Sequence, residues 1–174
     1  MKRSDGMTLM ELLVCILILS LLAVALGTGM DAAMEIYASA QFESDSAALA
    51  GILDTALWDV FTFSRDVHSG PEGLVFTNPD YGVQAGTVFA RDGLLCLGRE
   101  GRGKPLVNSG AYPNLAVTEV NARYLESGTV TLLDGTEVSG RGGVVCMTYR
   151  IVSTTEPERY RDVEVLIRPV MDKK

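Results

Sequence analysis

A 24-residue apolar stretch lies near the N-terminus, between Met7 and Met30. From Leu12 to Leu26 every residue is apolar except Ser20. At a rise of about 1.5 Å per residue, an α-helix of this length would extend about 36 Å, which exceeds the roughly 30 Å hydrocarbon core of a bilayer. The stretch therefore predicts a helix that crosses a membrane once.

The charges are spread unevenly along the 174-residue chain, whose net charge is -7. Residues 1–6 carry +1, residues 7–66 carry -7 and residues 67–174 carry -1. The acidic balance argues against a general nucleic-acid binder, which needs a basic surface to displace counterions. The imbalance belongs to the N-terminal third of the chain.

The basic residues next to the apolar stretch indicate its orientation. Lys2 and Arg3 precede it, and the next basic residue is Arg65. Because basic residues favour the cytoplasmic side, the N-terminus is predicted inside and everything after Met30 outside. This predicts a single-pass protein of the cytoplasmic membrane with an extracytoplasmic head.

A cleavable secretory signal peptide is the competing interpretation of the same stretch. Ala23-Val24-Ala25 supplies small residues for a cleavage site before Leu26. Glu11 argues against it, because a carboxylate costs about 2.5–3.5 kcal/mol at the centre of a membrane helix and less near its edge. An acid in this position marks a functional site rather than a disposable signal.

The residues around Glu11 form a longer motif. Gly6 is followed by Met7, Thr8, two apolar residues, Glu11 and an unbroken apolar run. This string resembles the leader and processing site of the type IV pilin and pseudopilin family. It departs from the commonest pattern at Met7, where Phe is usual, and at Met10, where Ile is usual.

The resemblance implies a defined processing step. A membrane-embedded prepilin peptidase would cut between Gly6 and Met7 and methylate the new amino terminus. Glu11 would then be the fifth residue of the mature chain. The implied partners are this peptidase, the cytoplasmic membrane and other pilin or pseudopilin subunits in an extracytoplasmic filament.

Electrostatics suggests how such subunits would assemble. Two buried unlike charges are costly apart and tolerable together. Glu11 of an incoming chain is therefore expected to pair with the Met7 amine of a neighbour and set the axial register. The Thr8 hydroxyl either assists or bonds back to the helix backbone.

Two glycines, Gly27 and Gly29, lie at the outer end of the apolar stretch. Glycine inside a helix costs roughly 1 kcal/mol relative to alanine. One interpretation is a flexible segment that bends when the subunit leaves the bilayer. The other is close packing between helices through small residues.

Beyond Met30 the pattern is that of a long amphipathic helix, predicted to continue to Val67 because no proline precedes Pro71. Its apolar face has helical spacing and comprises Leu49, Ile52, Leu53, Ala56, Leu57, Val60 and Phe61. Trp58 is predicted to cover a neighbouring edge of the head, with a contact surface as the alternative.

From Gly70 onward, short apolar segments alternate with glycine-rich turns, which predicts a small antiparallel sheet. Arg91-Asp92-Gly93 and Leu133-Asp134-Gly135 are hairpin signals. The predicted strands are Leu74–Thr77, Thr87–Arg91, Leu94–Gly98, Leu115–Leu125, Thr129–Leu133, Val144–Ser153 and Asp162–Val170.

The predicted fold is therefore α+β and pilin-like, with a long N-terminal helix packed on a small antiparallel sheet. The predicted segments are a leader (1–6), a transmembrane and filament-core helix (7–30), an amphipathic stalk (31–67) and a β-rich head (68–174).

Two glycine-rich basic segments, Gly98–Pro105 and Ser139–Gly143, are predicted to be loops. Neither has the spacing or the Lys-Ser/Thr pair of a phosphate-binding loop. A solvated turn is the simpler interpretation of each, and contact with an anion or DNA is the alternative.

The three cysteines divide between the two parts of the chain. Cys15 is expected to pack as a small apolar residue in the membrane span. Cys96 and Cys146 lie in predicted strands of an exported domain, where either a disulfide or two buried thiols would be compatible with the compartment.

Nothing in the sequence points to catalysis. With His68 as the single histidine and no Cys-x-x-Cys pair, no metal site is predicted, and no cofactor is implied. There is no Gly-x-Ser-x-Gly elbow and no histidine paired with a nucleophile. The chain is predicted not to be an enzyme.

The predicted function is that of a prepilin-like structural subunit of a type IV pilus or related filament. The acidic stalk favours a minor or initiating subunit, because like charges repeated along a fibre repel. One alternative is a minor pseudopilin of a type II secretion or DNA-uptake system. An alternative of another class is a single-span anchored or secreted binding domain.

Overall fold

The computed structural model describes residues 9–70, 73–99, 102–108 and 110–169. One helix, α1 (Leu9–Thr62), precedes the strands of the head in these ranges. The strands are β1 (Arg65–Gly70), β2 (Gly73–Asn78), β3 (Val83–Arg91), β4 (Leu94–Gly98), β5 (Lys104–Pro105), β6 (Leu115–Thr131), β7 (Glu137–Ser153) and β8 (Tyr160–Ile167). The predicted α+β layout is confirmed.

The chain divides into two compact units, 1–43 and 44–174, with the boundary inside α1. In the first unit every residue from Leu9 to Tyr37 is exposed. The polar side chains of the apolar stretch bond to their own helix: the Ser20 hydroxyl donates to the Leu17 carbonyl (2.8 Å) and the Thr28 hydroxyl to the Val24 carbonyl (3.2 Å). These bonds satisfy hydroxyl groups that would be costly in lipid.

In the second unit α1 buries one stripe of side chains. The buried apolar residues follow helical spacing and are Leu49, Leu53, Leu57, Val60 and Phe61. Ile52 and Trp58, each 45% exposed, lie outside the stripe. The prediction that Ile52 is buried is wrong, because it lies one residue, or about 100° of rotation, from the buried Leu53. The role of Trp58 at an edge of the head or at a contact surface stays a prediction.

The strands form two antiparallel sheets rather than the one small sheet predicted. The first has the order β1-β2-β3-β4-β5 and the second the order β6-β7-β8. The Val117 amide of β6 donates to the Gly93 carbonyl (2.7 Å) and joins the two sheets. Alternating residues of the strands complete one core with the helix stripe, in which the Phe61 and Phe76 rings meet edge to face at 4.9 Å.

The helix ends at Thr62, earlier than the predicted Val67. The Val60 carbonyl in its last turn accepts hydrogen bonds from the Ser64 hydroxyl and from the Asn78 side-chain amide, each at 2.7 Å. These two donors take the place of the amide that would bond to this carbonyl if the helix continued. The chain then continues as β1, where Val67 is buried.

Asn78 is the residue that sequence reasoning overlooked at this junction. It is fully buried, and its side-chain oxygen also accepts from the Asp80 amide at 3.0 Å. The Asn78-Pro79 dipeptide is a turn signal that could have identified it. One side chain therefore ends the helix and shapes the turn after β2.

Replacing Asn78 by Ala should lower the free energy of unfolding by about 1–3 kcal/mol, because the Val60 carbonyl loses one of its two donors, the Asp80 amide loses its acceptor, and truncation of a fully buried side chain leaves a cavity. Urea denaturation followed by circular dichroism measures the change. The control is Asn114→Ala. Asn114 is exposed, and its side chain makes no hydrogen bond to any residue that the structure describes. Equal stability of the two variants would contradict the assigned role of Asn78.

The predicted turn at Asp92-Gly93 is confirmed. Both residues have positive φ, 52° and 74°, and connect β3 to β4 with Arg91 opposite Leu94. Such a two-residue turn needs left-handed backbone at both positions, which glycine adopts without strain.

The predicted loop at Ser139–Gly143 is instead part of β7. The predicted strand Thr129–Leu133 is not separate, because its residues up to Thr131 belong to β6. The Tyr124 ring occupies the space where a Cβ on residue 143 would lie. Gly143 is thus a strand residue that accommodates a ring. In the other predicted loop, Lys104–Pro105 forms β5 against Cys96 and Leu97.

Candidate functional site on the N-terminal helix

Glu11 lies near the described start of α1, on a surface that is otherwise apolar. Its side chain is exposed, as are those of Met10 and Leu12 on either side. The other residues of the predicted processing and assembly site, Gly6, Met7 and Thr8, lie outside the described residues. The structure therefore places Glu11 on the exposed surface of the helix.

The helix around Glu11 is long and apolar enough to cross a membrane. Between Leu9 and Tyr37, seventeen large apolar side chains are exposed. Burying such a side chain contributes roughly 1.5–3 kcal/mol, so leaving them all in water would cost tens of kcal/mol. An apolar environment is therefore strongly favoured over water for this surface.

Gly27 and Gly29 lie within α1 without interrupting it. A Cβ built on either glycine would meet no described atom within 4 Å. Packing within the chain therefore does not require glycine at these positions. Both earlier interpretations, a flexible segment and close contact with another helix, agree with this placement.

Cys96 and Cys146 are both free thiols in the structure, which corresponds to the thiol alternative considered above. Cys96 is buried in β4 of the first sheet, whereas Cys146 lies in β7 of the second. Burial raises the pKa of both thiols, and Glu164 raises that of Cys146 further. Cys15 is exposed on the apolar helix.

His68, the single histidine, lies exposed on β1 with its Nδ1 atom 2.8 Å from the Asp66 carbonyl oxygen. Over the part of the chain that the structure describes, no group of three His, Cys, Asp or Glu side chains could hold a metal ion.

A cleft on the three-stranded sheet was not predicted. It contains Arg123 from β6, Cys146 from β7 and Glu164 from β8. These residues are far apart in sequence, and the neighbours of each in its own strand are apolar and buried or partly buried. Only strand alternation signals that they face away from the core; their proximity depends on the register between strands.

Comparison with known proteins gives one match, at the N-terminus. A family model described as the prokaryotic N-terminal methylation motif matches residues 1–27, which include Gly6, Glu11 and most of the apolar stretch. No curated protein and no solved structure matches the chain. Residues 1–27 are thus the prepilin-type signal of type IV pilins and pseudopilins, and this chain joins that signal to a two-sheet head.

Proposed function

We propose that this chain is a prepilin-like structural subunit, cleaved between Gly6 and Met7 and assembled through α1 into a type IV pilus or related filament. One observation carries the proposal: the methylation motif at residues 1–27 overlaps the start of a helix that is exposed at every residue from Leu9 to Tyr37. Such a helix needs an apolar environment twice, first in the membrane and then in the filament.

Assembly exchanges one apolar environment for another. In the membrane, lipid covers the helix, with the N-terminus in the cytoplasm and the head outside. In the filament, the helices of neighbouring subunits cover each other. Because lipid tails are as apolar as leucine, hydrophobicity alone does not favour the second state, and packing and polar contacts must direct the exchange.

The Met7 amine and Glu11 provide such a polar contact. Cleavage creates the ammonium at Met7, one helical turn before Glu11. An incoming Glu11 neutralises the ammonium of a neighbouring subunit, so that both charges enter the apolar bundle as a pair. A chain that keeps its leader has no such amine at this depth.

We assign the chain to the minor or initiating subunits. Residues 7–66 carry eight acids against one base, and repetition of this charge along a fibre would be repulsive. A few copies at the tip avoid that repulsion. The chain's role is assembly and display, without catalysis. A pseudopilus is the alternative system, and retention on the cell rather than recovery in sheared fibres would identify it.

The first test is the N-terminus of the chain recovered from cells. Mass spectrometry should find a mature chain that begins at Met7 and carries a methyl group on its amine. Gly6→Val should leave the leader attached, because the prepilin motif that this string resembles has glycine directly before the cut. A chain that begins at Leu26 would indicate signal-peptidase export, and an intact Met1 would indicate an uncleaved anchor; either result contradicts the proposal.

A further inference from the structure

The β6–β7 hairpin folds back over the outer face of its own sheet. The pairing of β8 with β7 extends from Val152 to Val145, and the hairpin continues beyond that point without β8. The amide of Leu133, at the hairpin turn, nevertheless donates to a carboxylate oxygen of Glu164 at 2.6 Å. Since Glu164 lies opposite Thr148, inside the paired region, the hairpin must bend back.

The irregularity that allows this bend is a register shift between Leu125 and Ser127 in β6. A bulge of this kind bends a strand and increases its twist. The result is a cleft of about 420 Å³ between the sheet and the returning hairpin. This volume falls within the roughly 300–1,000 Å³ typical of small-ligand sites.

Side chains from three strands form the floor of the cleft. Arg123 lies opposite Cys146, and Thr148 lies between Asn121 and Glu164. The hairpin adds threonine and leucine side chains above them. The cleft thus combines hydroxyl and amide groups, one cation, one anion and an apolar wall.

The two charged groups are not paired with each other. Among the residues that the structure describes, neither Arg123 nor Glu164 forms an ion pair. Arg123 donates through Nε to the Asn121 side chain at 3.4 Å, which leaves most of its donors available. Glu164 accepts from Leu133 and from the Cys146 thiol (3.6 Å), and a carboxylate has further acceptor capacity.

The Cys146 thiol lies between these groups, on the residue opposite Arg123 and 3.6 Å from a Glu164 carboxylate oxygen. Burial, followed by the charge of Glu164, raises the pKa of Cys146, and the charge of Arg123 lowers it. Both charges therefore act at the same point of the cleft. Since neighbouring strands are about 4.8 Å apart and the two residues are also offset by two positions along the strands, the Arg123 and Glu164 backbones on either side of β7 are separated by roughly 12 Å.

We infer that this cleft binds a short zwitterionic peptide with an apolar side chain. The peptide carboxylate pairs with Arg123 and its ammonium with Glu164, while its side chain packs against Leu125, Leu132 and Leu133. The backbone of a dipeptide spans at most about 7 Å. The Arg123 and Glu164 side chains extend from strands on either side of β7, so each reaches inward to one charged end of the peptide.

The lining disfavours other ligand classes. Among the described residues around the cleft there is no aromatic ring on which a sugar or nucleobase could stack. A single arginine beside a glutamate is a poor match for a polyanion such as nucleic acid. The inference goes beyond the proposed function, because it gives the head a ligand whether or not the chain enters a filament.

The test uses the full mature chain in detergent micelles and leucyl-leucine as the probe. Isothermal titration should show saturable binding of leucyl-leucine, and N-acetyl-leucyl-leucinamide, which lacks both charges, should bind at least tenfold more weakly. N-acetyl-leucyl-leucine removes the ammonium alone and tests the contact with Glu164 without changing the protein.

Two variants test the protein side of the contact. Arg123→Gln and Glu164→Gln should each weaken binding at least tenfold, whereas Arg65→Gln and Glu158→Gln, at exposed positions outside the cleft lining, should not change it. Glutamine at position 164 keeps an oxygen that can accept from the Leu133 amide. Undetectable binding of leucyl-leucine, equal affinity for the capped peptide, or unchanged affinity of Arg123→Gln would overturn the inference.

Discussion

Replacing Leu57 by Ala is expected to lower the free energy of unfolding of the head by about 2–5 kcal/mol. Leu57 is fully buried in the helix stripe that contacts the sheets. Truncation removes apolar burial and leaves a cavity that the surrounding side chains fill only in part. For a domain of ordinary stability, a loss of this size is a large share of the total.

Ile52→Ala provides the matched control, because Ile52 belongs to the same predicted stripe but is 45% exposed. Its substitution should cost much less, since a partly exposed side chain leaves no cavity and alanine favours the helix. Urea denaturation of the mature chain in detergent, followed by the fluorescence of its single tryptophan, Trp58, measures both variants. Similar losses for the two would mean that the helix faces the sheets differently.

Replacing Glu11 by Ala is expected to reduce incorporation into filaments at least tenfold. Without the carboxylate, the Met7 ammonium of a neighbouring subunit would enter the helix bundle unpaired, and breaking a buried charge pair costs about 3–5 kcal/mol. Insertion into the membrane should be unaffected, since removal of an acid makes the helix more apolar. Immunoblotting of sheared filaments against whole cells measures the ratio.

Glu35→Ala is the matched control for this experiment. It removes an acid from the exposed surface of the same helix, outside the methylation motif. Both variants should be processed to a chain beginning at Met7. Normal incorporation of Glu11→Ala would remove the proposed charge pairing, whereas a cleavage defect in that variant would place Glu11 in processing rather than assembly.

The apolar stretch and the glycine before Met7 could be predicted from the sequence because each depends only on residues that are close together along the chain. A span of about 30 Å requires a continuous run of apolar residues, and the motif lies within a few positions of its start. The alternation of strands and turns was readable for the same reason, as the confirmed turn at Asp92-Gly93 shows. Local patterns also identified Leu49, Leu53 and Leu57 as core residues.

The helix end, the two-sheet division and the cleft depended on distant partners. Thr62 ends α1 because Asn78, sixteen residues later, donates to the Val60 carbonyl. At Gly143 the Tyr124 ring fills the space that a side chain would need. A pattern of single residues carries no information about such partners.

The sequence by itself determined the long apolar helix, the prepilin-type signal and the α+β class, because length, hydropathy and spacing act along the chain. The tertiary structure alone decided which side of the helix is buried and where it ends. It also decided that Arg123, Cys146 and Glu164 meet beneath a folded hairpin. Strand register and the bend in β6 set these contacts, and both arise from pairing between residues far apart in sequence.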